Sequence, residues 1–100
     1  MREDRQRLDK WLWFARFVKS RSQAAKLVAD GFVRVNGERS ENPAKALAVG
    51  DALTLALPRT TRVVKVERLG SRRGPAPEAA SLYSEIGRDD PSLVTSGRKG

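Results

Sequence analysis

Residues 19–37 read KSRSQAAKLVADGFVRVNG. Ser20 is a good N-cap, and Gln23 three residues later completes a capping-box pattern. Ala24, Leu27 and Val28 then form the inner stripe of a helix. Asp30-Gly31 ends it, with Gly31 placed to take the left-handed position after the last turn. Phe32-Val33-Arg34-Val35 reads as a short strand, and Asn36-Gly37 is a tight-turn signal. The same segment carries Lys19, Arg21, Lys26 and Arg34, so its positive charge begins where the helix begins.

Upstream, Leu8, Trp11, Leu12, Ala15 and Val18 recur at spacings of three and four, which predicts an earlier helix. Arg7, Lys10, Arg16 and Lys19 fall largely off that stripe. Trp13, Phe14 and Phe17 widen the apolar arc. These aromatics are expected mainly in the core, with Trp13 the one turned outward. Residues 1–6 are polar and are expected to fray.

Downstream, residues 38–50 look irregular, with Pro43 against any long element. Val49-Gly50-Asp51 is a turn. ALTLAL alternates, with Leu53, Leu55 and Leu57 on one face. RVVKVERL is another strand, with Val64 and Val66 inward and Lys65 outward. After Leu69 the chain turns rich in Gly, Pro and Ser, and only Ala79, Leu82, Tyr83 and Ile86 suggest one short amphipathic helix. From Gly87 no packed element is expected. The fold class is therefore α+β: two N-terminal helices packed on a short antiparallel sheet, then a C-terminal tail containing a short helix. A domain over residues 7–69 and a basic, partly disordered tail over residues 70–100 are expected.

Twenty Lys and Arg against twelve Asp and Glu leave a net charge of +8 on 100 residues. Residues 1–30 carry eight cations against four acids, while residues 31–60 are nearly neutral. Such an excess calls for an anionic partner. With no cysteine and no histidine, disulfides, thiolate chemistry, zinc sites and Ser-His pairs are excluded. No apolar run nears the roughly 18 residues that span a bilayer, and no secretory signal opens the chain, so a soluble cytoplasmic protein is expected. The carboxylates Asp9, Asp30, Asp51, Asp89 and Asp90 have no His or Cys partner, and there is no phosphate-binding glycine loop. No enzyme, no metal and no cofactor are expected.

A helix N-terminus offers free backbone N–H groups and the positive end of a dipole. Lys19 and Arg21 add mobile cations to that fixed point, which suits a phosphate backbone. The candidate contacts are Arg7, Lys10, Arg16, Lys19, Ser20, Arg21, Gln23, Lys26, Arg34 and Asn36, of which Ser20 and Gln23 are also expected to cap the helix. Arg34 and the Asn36-Gly37 turn would widen the cationic platform if they lay beside it.

Arg7-Leu8-Asp9, Ser20-Arg21-Ser22-Gln23-Ala24, Gly31, Val33, Val35-Asn36-Gly37 and Gly50-Asp51 together resemble the S4 RNA-binding domain, the alpha-L motif, over about residues 7–57. Within that superfamily, DKWLWFARFVKSRSQA and RRGPAPEAASLY resemble the heat-shock protein 15 family. The resemblance implies a small bacterial protein that binds structured RNA through the two-helix face and the following turn. It implies ribosomal RNA of the large subunit as partner, notably free large subunits still carrying a nascent chain on transfer RNA, and a role in heat shock or ribosome rescue. The family's best-known type carries a longer basic helical C-terminal extension, where this chain reads GRDDPSLVTSGRKG. A monomer without membrane contact is expected. The rival readings are a helix-turn-helix DNA-binding protein and an accessory RNA-binding subunit of an RNA-modifying enzyme.

Overall fold

A computed structural model describes residues 5–58 and 60–89. The order is β1 (Gln6–Arg7), α1 (Leu8–Phe14), α2 (Arg21–Ala29), β2 (Val33–Val35), β3 (Glu38–Arg39), β4 (Ala46–Leu47), β5 (Ala52–Ala56), β6 (Thr61–Val66), α3 (Ala76–Ala80) and β7 (Tyr83–Asp89).

Both helices of the N-terminal pair end in the same way. In α2 the N–H of Gly31 donates to the carbonyl of Val28 at 2.9 Å, and that of Phe32 to Leu27 at 3.2 Å. Gly31, at φ +87°, takes the left-handed position expected of it. In α1 the N–H groups of Arg16 and Phe17 donate to Trp13 and Leu12 at 3.0 and 3.1 Å. Both are Schellman ends, but in α1 the left-handed residue is Arg16, at φ 64°. This stops α1 at Phe14, before the apolar periodicity runs out at Val18. The first turn of α1 is satisfied by backbone from the segment expected to be irregular. Leu8 N–H donates to Lys45 at 2.9 Å and Asp9 N–H to Pro43 at 3.1 Å, while β4 pairs antiparallel with β1. Gln6, expected to be frayed, thus lies in a strand opposite Leu47.

The remaining strands form one antiparallel sheet in the order β3-β2-β5-β6-β7. Alternation holds as expected: Val33, Val35, Leu53, Leu55, Val64 and Val66 are buried. They pack with Leu8, Trp11, Leu12, Ala24 and Val28 of the helices and with Leu47. Leu27 and Leu57 are only partly buried at the edge of this core. The β2–β3 turn has Asn36 at φ 53° and Gly37 at φ +87°, the positive pair a tight hairpin needs.

The C-terminal segment differs most from expectation. Ala79 lies in the short helix α3, but Tyr83 and Ile86 lie in β7, which pairs with β6 as far as Asp89. A register shift opposite Val63 and Val64 marks a bulge in this pairing. Residues 90–100, expected to be loose, lie outside the described residues. The connection into α3 is tied to α1. Trp11 Nε1 donates to the Arg68 carbonyl at 2.9 Å. Arg73 donates to the carbonyls of Trp13 and Val18, both at 3.2 Å, and its guanidinium sits 5.7 Å from the Trp13 ring centroid. Trp13 is therefore half-covered rather than turned outward, and the exposed aromatic is Phe32, 48% accessible. Among the described residues no helix is long and apolar enough to cross a membrane.

Candidate nucleic-acid interface

The N-terminus of α2 is built from three neighbouring residues. Ser20 has extended backbone, and its Oγ accepts from the Gln23 N–H at 3.1 Å. Gln23 Oε1 in turn accepts from the Lys19 N–H at 2.9 Å, one residue earlier than the usual capping box. The loop is thereby held while the Lys19 side chain stays exposed, with no carboxylate partner among the described residues. Ser20 and Gln23 act as the caps that were expected.

Arg7 and Arg21 meet at a single carboxylate. Arg7 donates twice to Asp9, at 3.0 Å through both Nε and Nη2, and Arg21 Nη2 lies 3.7 Å from Asp9 Oδ1. The Asp9 side chain is only 5% accessible, whereas the two arginines are 52% and 44% accessible. Burial pushes the Asp9 carboxyl up, but the Arg7 hydrogen bonds and charge, with help from Arg21 and the Lys10 N–H, outweigh it and hold it below its ordinary value. A buried anion so orients two half-exposed cations at the mouth of α2, and the trio keeps a net positive charge. Asp9 enters the sequence reading within Arg7-Leu8-Asp9 but is not among its candidate contacts, and as a catalytic carboxylate it lacks a His or Cys partner. Its signal was its place in the first turn of a helix, two residues after an arginine.

The other candidates divide. Lys26 pairs with Asp30 at 3.0 Å along the exposed face of α2. Lys10 sits 5.6 Å from the Phe14 ring centroid on α1. Arg16 is drawn off toward α3, its Nε donating to the Gly74 carbonyl at 2.7 Å. Asn36 is engaged in the fold: its Oδ1 accepts from the Ala52 N–H at 2.9 Å and its Nδ2 donates to Asp51 at 3.3 Å. Arg34 is exposed between buried Val33 and Val35, so it projects from the sheet face opposite the helices, in register with Arg39 and Thr54. The structure thus brings Arg7, Lys19, Ser20, Arg21 and Gln23 together, and does not place Arg34 beside them.

This arrangement has relatives. A model of the S4 domain matches residues 6–53. Heat shock protein 15 of Escherichia coli K12 is 46% identical over 79 residues, covering 79% of this chain and 59% of its own length. The Haemophilus influenzae homolog is 41% identical over 85 residues, covering 85% of this chain and 64% of its own. A trimeric structure of Vibrio cholerae heat shock protein 15 superposes with a TM-score of 0.78 at 41% identity, with 83% of each chain covered. The chain belongs to the heat-shock protein 15 family. It spans about three fifths of the length of the E. coli relative. In the terms of this family, the S4 match covers the helix pair, β2 and the turn after it, and ends within β5. The stretch RRGPAPEAASLY, beyond the S4 match, holds Arg73 and Gly74, the residues that tie the start of α3 to the end of α1.

Proposed function

We propose that this chain is a non-catalytic RNA-binding protein. It docks on structured ribosomal RNA of the large subunit, in a heat-shock or ribosome-rescue role on subunits that carry a stalled nascent chain on transfer RNA. The observation that carries the reading is the cationic mouth of α2, where Lys19, Arg21 and Arg7 flank a capped helix start. Family membership supplies the partner class. Phosphates dock on these cations and on the helix N–H groups, while Lys10 and Lys26 serve as outer contacts; Arg34, on the opposite face of the sheet, is not among them. Residues 7–69 form the RNA-binding unit, and residues 70–89 support it. The proposed compartment is the cytoplasm.

A helix-turn-helix reading requires α2 to enter a DNA major groove, and no observation favours it. The test is binding to a ribosomal RNA hairpin against duplex DNA of equal length, over a tenfold range of salt. If about four phosphates are neutralised, affinity for RNA falls by roughly three orders of magnitude. A flat profile, or equal preference for DNA, contradicts the proposal. Sedimentation of the free protein separates the expected monomer from a trimer like that of the Vibrio relative.

A further inference from the structure

Next to the mouth of α2 lies an open groove of about 420 Å³. Leu27, Phe32, Leu57 and Pro58 contribute apolar wall, and Lys19 and Lys26 stand on its rim. Phe32 is 48% accessible, one of the large apolar side chains left exposed. Its backbone is nonetheless fixed on both sides: its N–H donates to Leu27 at 3.2 Å, and its carbonyl accepts from Ala56 at 2.9 Å. An exposed aromatic ring on a hydrogen-bonded backbone, beside Lys19 and the Lys26–Asp30 ion pair that also lines the groove, offers an apolar face and, at Lys19, a cationic edge at the same place.

We propose that this groove receives one unpaired nucleobase of the bound RNA, stacked against Phe32, with the flanking phosphates at Lys19 and Lys26. The inference rests on the RNA-binding reading above and adds that a bulge or loop, rather than a plain duplex, is the preferred target. A nucleotide has an apolar face and an anionic edge, which matches this groove. Bases inside an A-form helix keep their faces stacked on one another, so only a splayed base reaches an aromatic platform. An apolar peptide would use the walls but leave the lysines unanswered.

The test uses two RNA hairpins, one fully paired and one with a single bulged 2-aminopurine, and the full chain with Phe32→Ala or Phe32→Tyr. Wild type should prefer the bulged hairpin and change the fluorescence of its 2-aminopurine. Phe32→Ala should lose roughly tenfold in affinity for the bulged hairpin and leave the paired one unaffected. Phe32→Tyr, which keeps a ring, should restore both preference and signal. The inference is overturned if Phe32→Ala, with an unchanged melting temperature, retains the bulge preference. It is also overturned if both hairpins weaken equally, or if an uncharged apolar peptide occupies the groove and the bulged RNA does not displace it. Failure of wild type to bind either hairpin would overturn the RNA-binding reading itself, whereas equal binding of both hairpins by wild type overturns only the groove.

Discussion

Asp9 lies between Arg7 and Arg21 with its carboxylate almost wholly buried, and the arrangement has a price in acid. Because its folded pKa is held below the unfolded value of about 3.9, its contribution is complete well above that value and is lost as pH falls through the folded one. Asp9→Asn should therefore flatten the loss of stability as pH falls from neutral through and below the usual carboxylate range, as read by urea unfolding at each pH. At pH 7 the variant should be less stable by about 1–3 kcal/mol, since the arginines lose a charged acceptor. Equal acid sensitivity in both proteins would mean that other carboxylates carry it. Arg16 gives a second residue-scale test. Its left-handed backbone costs about 1 kcal/mol or more, and its Nε bond to Gly74 offsets part of that. Arg16→Gly loses the bond but relieves the backbone, while Arg16→Ala loses the bond and keeps the strain. Chemical denaturation should rank Gly above Ala by about 1 kcal/mol, and the reverse order would refute the role assigned to the turn.

At the scale of elements, α2, β2, β5 and β6 were legible because their signals are local: a capping Ser20, a terminal Gly31 and clean alternation at Leu53, Leu55, Val64 and Val66. The end of α1 was not legible, because an arginine in the left-handed region leaves no mark in the sequence and the apolar spacing continues through it. Nor was β7. YSEIGRD alternates poorly and contains a glycine, and it is a strand because β6 offers an unpaired edge. The short β3 and β4 are likewise set by their partners. The helix stripe misled at Leu27, which the structure puts at the groove, partly buried, while Leu8 is fully buried. Two substitutions of identical chemistry therefore should differ. Leu8→Ala should cost about 2–5 kcal/mol and Leu27→Ala clearly less, as measured by thermal melting. Equal losses would restore Leu27 to the core.

For the whole molecule, the sheet and the C-terminal connection support a helix pair that points its positive end outward. The candidate cluster was legible as charge, but its geometry was not. The carboxylate joining Arg7 to Arg21 and the sheet face taken by Arg34 depend on contacts between residues distant in sequence. The most direct measurement of the central claim compares two equal charge reversals. Lys19→Glu alters an exposed side chain at the mouth of α2, and Lys65→Glu alters an exposed side chain on β6, on the far face of the sheet. Co-sedimentation with large ribosomal subunits at near-physiological salt, with melting temperatures checked in parallel, should show Lys19→Glu reduced at least tenfold and Lys65→Glu close to wild type. Equal losses in the two variants would reduce the effect to net charge, and wild-type binding by Lys19→Glu would show that RNA does not dock at the start of α2.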